Sequence, residues 1–395
     1  MKKRGIKWLL LLSVCALFLT LGCQGNQLCA QKTEPVSSPA KKAETVTTAS
    51  EKGTVKKETK KKETAKTTAN KTQKSSASSK KKQQLQGLRK NSDGSYSYYE
   101  KGKKLKNSWK TTGGAKYYFG KDGKAYTGKK KVGKAYYYFS KTGKMETGWK
   151  TIKKKKYYFA GKTGKMLTGR HSLSHYLCTF NQKGQLIRKV DKNKKMVALT
   201  YDDGPSKYTP QLLDTLEQYD AVATFFVVGS RASTYEKTLK REAALGCEIG
   251  NHTYDHKNIT KISSKELKNQ LSKTNAAIKK ATGKTPKIMR PPGGAINNSA
   301  KKNLGMSAVI WSVDTLDWKT RSASRTTKAV LGHVQDGDII LMHDLHKAAC
   351  EAAETIVPEL IDEGYQLVTV SELAECRGGM KNNQSYHNFR KKKKK

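Results

Sequence analysis

Acidic residues are scarce in this 395-residue chain, with 32 Asp+Glu against 79 Lys+Arg and a formal charge of +47. Hydrophobic residues supply only 35% and aromatics 8%. That is too little for a uniformly globular chain, so part of the sequence has no core of its own. No apolar run suffices for several membrane spans, which excludes a polytopic membrane protein. None of the seven cysteines forms a CxxC pair, which argues against a zinc ribbon or a thioredoxin-type redox site. The length suits two or three domains.

What is abundant is unevenly placed. Residues 1–190 hold 46 Lys+Arg and 9 Asp+Glu, whereas 191–395 hold 33 and 23. Such a basic chain raises the question of nucleic acid, but the N-terminus points elsewhere. Met1-Lys2-Lys3-Arg4 precedes a 14-residue apolar stretch from Trp8 to Leu21. That is short of the roughly 20 residues of a spanning helix and matches the apolar region of an export signal. Gly22-Cys23 resembles a bacterial lipoprotein cleavage site, with Thr20 where Leu is usual. Residues 1–30 are therefore expected to direct export, with cleavage after Ala30, a lipid on Cys23 or retention as an anchor as the alternatives. Outside the cell a cationic chain meets anionic wall polymers and lipid headgroups before DNA, so no nucleic-acid partner is expected. Cys178, Cys247, Cys350 and Cys376 could pair in three ways or stay reduced.

Three segments follow the signal. Residues 31–86 are Lys, Thr, Ser, Ala and Glu with Val as the main large aliphatic, a composition that cannot offset chain entropy and reads as a disordered linker. Residues 87–190 repeat with a period of 20 to 21: Trp109 leads to Tyr117-Tyr118-Phe119, Lys129 to Tyr137-Tyr138-Phe139, and Trp149 to Tyr157-Tyr158-Phe159. Each unit reads as an aromatic strand, a turn such as Lys121-Asp122-Gly123-Lys124 and a second short strand. Single hairpins are marginal, so the units are expected to stack as a solenoid. They resemble the choline- and glucan-binding wall repeats of bacterial surface proteins, except that Lys129 and Arg170 replace the opening Trp. That exchange disfavours a choline cage and favours anionic or sugar polymers.

Residues 191–380 alternate apolar strands with amphipathic helices, the pattern of an α/β fold with a parallel sheet or barrel; 381–395 reads as a basic tail. Polar clusters recur just past the strand ends, where a (β/α) barrel gathers its functional groups. Asp202-Asp203 can serve one site only if the strand ends there, and Gly204-Pro205 supplies the break. His252 and His256 stand four apart, one face of a helical turn. With Asp203 they make three metal ligands and leave room for water, as in catalytic zinc sites. His171 and His175 share that spacing but have no nearby carboxylate, so no metal is assigned there. His333 is expected on a helix surface, His387 in the tail, Trp311 in the core and His346 near the site.

The motifs TYDDGP (200–205), HTYDH (252–256), RPPGG (290–294), DTLDW (314–318) and LMHD (341–344) occur in order. On these motifs residues 195–376 resemble the polysaccharide deacetylase family (NodB-homology, carbohydrate esterase family four). The resemblance implies a distorted (β/α) barrel. It makes Asp203, His252 and His256 the ligands of a divalent ion, zinc first, with cobalt or another ion as alternatives. It makes Asp202 the general base oriented by Arg290, and His343 the general acid supported by Asp317, with Asp314 as the rival for that role. Tyr201, Pro292, Gly293, Trp318 and Leu341 would form the substrate pocket. Gly293 stands where the family often has Tyr, and Tyr201 where Phe is usual. The expected activity is hydrolysis of N-acetyl groups on a wall glycan, foremost peptidoglycan N-acetylglucosamine, with release of acetate. Its rivals are a deacetylase of chitin-like or exopolysaccharide chains, an O-acetyl esterase of xylan type, and a non-catalytic wall adhesin. The expected setting is the bacterial cell surface.

Overall fold

The computed structural model describes residues 84–391. The signal segment with Cys23, the linker up to residue 83 and the last four lysines lie outside the described residues.

In each repeat the strand that opens at Trp109, Lys129 or Trp149 pairs antiparallel with the aromatic strand behind it. Ser108–Thr112 pairs with Ala115–Phe119, Gly128–Val132 with Ala135–Phe139, and Gly148–Ile152 with Lys155–Phe159. Gly113 and Gly114 between the first pair have φ of 53° and 68°, a turn whose twist suits a two-residue hairpin. The second strand expected after Lys121–Lys124 shrinks to a single bridge, Phe119 to Ala125, or to the two residues Met145–Glu146. The hairpins form separate small sheets, joined by isolated backbone bonds, from Ala125 N–H to the Tyr96 carbonyl and from Met166 N–H to the Tyr136 carbonyl, and by packed side chains. Phe119, Phe139, Phe159 and Phe180, one per hairpin, are all buried. Trp109 lies 5.0 Å from the Tyr137 ring and 5.9 Å from Phe139 in the next hairpin, and Trp149 lies 5.9 Å from Phe180.

The second half is a nine-stranded, wholly parallel sheet curved into a distorted, open barrel with helices outside. Its strands are β1 (Met196–Asp202), β2 (Thr224–Val227), β3 (Glu248–Asn251), β4 (Ile288–Met289), β5 (Ser307–Val309), β6 (Val313–Asp314), β7 (Ile339–His343), β8 (Gln366–Leu367) and β9 (Ser385–Tyr386). They are ordered β6-β7-β1-β2-β3-β4-β5-β9, with β8 beside the start of β1. Central β1 is buried along its whole length, as a strand covered on both faces must be. Val197, Leu199 and Tyr201 point outward into a core shared with Leu212, Leu213 and Leu216 of helix α1 (Thr209–Gln218) and with Ile356 and Leu360. Met196, Ala198, Thr200 and Asp202 alternate with them and face inward. Residues 307–314 form two strands rather than one, because β5 pairs with β4 and β9 whereas β6 pairs with β7 at the other end of the sheet order.

The polar stretch 381–391 is not a free tail, which corrects the boundary drawn at 381. β9 pairs with β5, Phe389 is buried, and Arg390 Nε donates to Asp338 Oδ1 at 2.6 Å. Tyr386 and Phe389 are the apolar anchors that a lysine-rich end conceals. Cys178, Cys247, Cys350 and Cys376 are all free thiols, so none of the three pairings is present. The last repeat, Gly169–Leu173, Tyr176–Phe180 and Leu186–Asp191, is fused to the barrel. Leu177 and Val190 pack with Phe226, Val309 and Leu373. Arg188 donates from Nε to Glu372 Oε1 at 2.8 Å and from NH2 to the Leu367 carbonyl at 2.7 Å.

Replacing Arg188 by Ala strands the buried Glu372 carboxylate and is expected to cost about 2–3 kcal/mol. Denaturant unfolding of the protein should show this as one cooperative transition, displaced to lower denaturant. Separate transitions for repeat and barrel, with only one displaced, would contradict the fused interface.

Candidate active site

All strands point the same way, so one rim collects the residues that follow each C-terminal end. At the end of β1, Asp203 has φ of 69°. This corner turns the chain so that its carboxylate shares the rim with that of Asp202. A side chain at Gly204 would not fit, because a Cβ there would lie 2.2 Å from both carboxylate oxygens of Asp344.

After β3 the chain does not enter the helical turn expected for 252–256. It forms an irregular loop, with Thr253 and His256 at φ of 64° and 60°. Asn251 Oδ1 accepts the Thr253 N–H, and Gln270 Oε1 accepts the N–H groups of Tyr254 and Asp255. These side chains satisfy donors that a helix would have used. The loop nonetheless brings His252 and His256 together. Their Nε2 atoms lie 3.3 and 3.1 Å from Asp203 Oδ1, and one ligand atom from each residue falls within 4.8 Å of the others. His252 Nδ1 donates to the Arg290 carbonyl at 2.7 Å. A carbonyl only accepts, so Nε2 carries the lone pair and faces Asp203.

The donor set suits a divalent cation. Asp203 Oδ1 is buried without a hydrogen-bond donor while two imidazole nitrogens converge on it. Burial works to raise the Asp203 pKa, but the two imidazoles, when protonated, outweigh it and hold the carboxyl well below the usual carboxylate range. The interaction with Asp203 in turn raises the His256 pKa above 6.5. His252 is buried and His256 half exposed, so one side of the cluster stays open, as catalytic ion sites require.

Two paired groups flank the cluster. Asp202 is buried, and its Oδ1 accepts from Arg290 NH1 at 2.8 Å. Arg290 is fully buried and also donates to Thr200 Oγ1 and to the carbonyls of Val309 and Ile310. On β7, in register with Asp202, stands His343. Its Nδ1 lies 2.9 Å from Asp317 Oδ1, and its backbone N–H donates to Asp317 Oδ2. Burial would lower the His343 pKa, but Asp317, with Asp202 and Asp203, raises it above 6.5. Asp314, the rival for that role, is exposed and accepts the Leu316 N–H.

The expected pocket residues divide. Leu341 lies on the inward face two residues before His343, and Trp318 is exposed on the short helix Asp317–Thr320. Pro292 and Gly293 form the turn after β4, with Gly293 at φ of 62°. Tyr201 is a correction. It is fully buried in the outer core, its ring 5.5 Å from Phe225, because strand alternation sends it away from its neighbours Thr200 and Asp202. A cavity of about 310 Å³ opens beside the cluster, lined by Asp203, Val228, Ser230, Arg231, Asp255, His256 and Leu345. The sequence reading passed over Arg231, although it follows β2 on the same rim.

This barrel carries an Asp-His-His cluster between a carboxylate–guanidinium pair and an imidazole–carboxylate pair. The polysaccharide deacetylase family model matches residues 189–309, and the model of a choline-binding-type cell wall binding repeat matches 107–125 and 147–166. A peptidoglycan-N-acetylglucosamine deacetylase of Bacillus cereus is 38% identical over 199 residues, which cover 48% of this chain and 93% of that protein. The chain belongs to the polysaccharide deacetylase family, with wall-binding repeats N-terminal to the deacetylase domain. It is 43% identical over 189 residues to the peptidoglycan-N-acetylmuramic acid deacetylase PdaC of Bacillus subtilis. It is 45% identical over 183 residues to the peptidoglycan-N-acetylglucosamine deacetylase PgdA of Listeria monocytogenes. The matches cover 48% and 46% of this chain but only 40% and 39% of those two relatives.

Metal analysis of the purified protein is expected to find one divalent ion per chain. His252→Ala should weaken its retention by more than the roughly 10–100-fold that loss of an outer-shell partner costs. Full retention by His252→Ala would remove that residue from the ligand set.

Proposed function

We propose that the protein is an exported, zinc-dependent deacetylase that hydrolyses the N-acetyl groups of peptidoglycan N-acetylglucosamine and releases acetate. The observation that carries this reading is the placement of the Asp203–His252–His256 cluster between the Asp202–Arg290 and His343–Asp317 pairs. Asp203, His252 and His256 would hold the zinc, which supplies a Lewis acid for the acetamide carbonyl and lowers the pKa of water toward about 7.

Asp202 accepts the proton of the attacking water. Arg290 grips one of its oxygens, which fixes the carboxylate and leaves the other for the proton. The Gly293 N–H is assigned to the oxyanion, a donor worth roughly 2.7–4 kcal/mol in other enzymes. His343 delivers a proton to the departing amine from Nε2, because Nδ1 is engaged by Asp317. Leu341 and Trp318 line the space for the acetyl methyl. The products are acetate and a glucosamine-type amine.

The basic repeats would hold the enzyme on anionic wall polymers and raise its effective concentration at an insoluble substrate. Lys129 supports an anionic rather than a choline ligand. It stands where Trp109 and Trp149 open their hairpins, its ammonium 4.5 Å from the Tyr157 ring centroid and 5.4 Å from that of Tyr136. A resident cation thus covers aromatic faces that a quaternary ammonium would need. Export through residues 1–30 would bring the protein to the bacterial surface, with a lipid on Cys23 as one means of anchoring.

Purified protein should release acetate from N-acetylated peptidoglycan, stop on chelation and resume with zinc; no acetate would refute the proposal. Asp202→Asn should keep its metal and lose about 10²–10⁴-fold in kcat, and normal turnover would remove Asp202 as the base. The acid must be protonated, so activity should fall as pH rises through the raised His343 pKa. Asp317→Asn withdraws the charge that raises it, and the alkaline limb of the kcat/KM profile should move to lower pH. An unmoved limb would separate Asp317 from the acid.

A further inference from the structure

We propose that Arg231 forms a subsite for a carboxylate carried by the glycan, so that the enzyme reads an acidic sugar, of the N-acetylmuramic type, beside the acetamide it cleaves. This rests on the deacetylase reading above and names a feature of its substrate.

Arg231 lies just past β2 and lines the cavity that also exposes Asp203 and His256. It is held in place: Nε donates to the Pro205 carbonyl at 2.9 Å, and the guanidinium carbon lies 5.6 Å from the Tyr235 ring centroid. Its two terminal nitrogens meet no acceptor among the described residues. The other arginines near the rim are committed. Arg290 spends its donors inside the barrel, and Arg321 is tied to the Trp318 carbonyl and to His346.

The charges around the cavity leave Arg231 as the unmatched one. Asp255 on the same wall is paired with Lys257 at 3.2 Å, and Asp203 is taken up by the two histidines. A fixed guanidinium with both terminal nitrogens free is a fork that fits a planar carboxylate. A chain built only of N-acetylglucosamine has no charge to give it. A lactyl ether on the neighbouring sugar does, and the cavity of about 310 Å³ has room for such a substituent.

The test compares acetate release from three soluble oligosaccharides of equal length. One is a neutral N-acetylglucosamine oligomer, one a peptidoglycan oligomer with free lactyl carboxylates, and one the same oligomer with those carboxylates converted to amides. The unaltered protein is expected to show a KM about tenfold lower for the free acid than for the amide. In Arg231→Gln the acid-to-amide ratio should collapse toward one, and Arg231→Lys should keep part of it. Equal KM values for acid and amide in the unaltered protein, or an undiminished ratio in Arg231→Gln, would overturn the proposal. Arg231 also braces Pro205, so the ratio is read rather than absolute rates, and the acid–amide comparison stands even if a variant misfolds. Release of acetate without discrimination removes only this subsite. No acetate from any of the three removes the deacetylase reading and the subsite with it.

Discussion

A guanidinium sealed inside the barrel organises the rim. Arg290 has no solvent contact, and its side chain spans β1, through Thr200 and Asp202, and the crossing between β5 and β6, through the carbonyls of Val309 and Ile310. Burial lowers its pKa, and the Asp202 carboxylate works against that. Phe226 covers one face with its ring centroid 4.3 Å from the guanidinium carbon. Removing one partner of such a pair leaves the other charged and unsolvated, a loss of about 3–5 kcal/mol in comparable cases. The same residue's main-chain carbonyl fixes the tautomer of His252. One position therefore orients both the acid group beside the cluster and a nitrogen inside it.

The opposite flank is built with equal economy. Asp317 receives both the ring Nδ1–H and the backbone N–H of His343, so the ring cannot turn without losing a carboxylate contact. Asp202 and His343 are register partners on adjacent strands, about 4.8 Å apart along the hydrogen-bonding direction. A carboxylate and an imidazole thus face one opening from neighbouring strands, with the Asp-His-His cluster at the corner just beyond β1.

Much of this was legible because a parallel barrel writes its site at strand ends. The alternation of apolar strands and amphipathic helices pointed to a parallel sheet or barrel, and polar residues at or just past the ends of β1, β3 and β7 are those that converge. Where reading failed, the cause was local. Tyr201 looked like a pocket residue because it adjoins Asp202, yet strict alternation sends neighbours to opposite faces. The His252–His256 spacing looked helical, but the amides of Asn251 and Gln270 hold that loop in another shape, and those contacts come from the strand end and a distant helix. Residues 381–391 looked like a tail because charge outnumbers their two aromatic anchors. Arg231 was overlooked although it follows β2, since a lone arginine carries no motif. The repeats announced their period clearly, but which strands paired depended on the Gly113–Gly114 turn.

The last repeat shares its core with the barrel through Leu177 and Val190, so the basic, lysine-covered stack joins the deacetylase domain by packed side chains. The proposed chemistry depends on a cation held at the corner of β1. The most direct measurement is anomalous diffraction at the zinc edge from crystals grown with zinc. A single peak bonded to Asp203, His252 and His256 at about 2.0–2.2 Å, facing Asp202 and His343, is the predicted result. A peak bound elsewhere, or those three side chains free of any ion at saturating zinc, would contradict it.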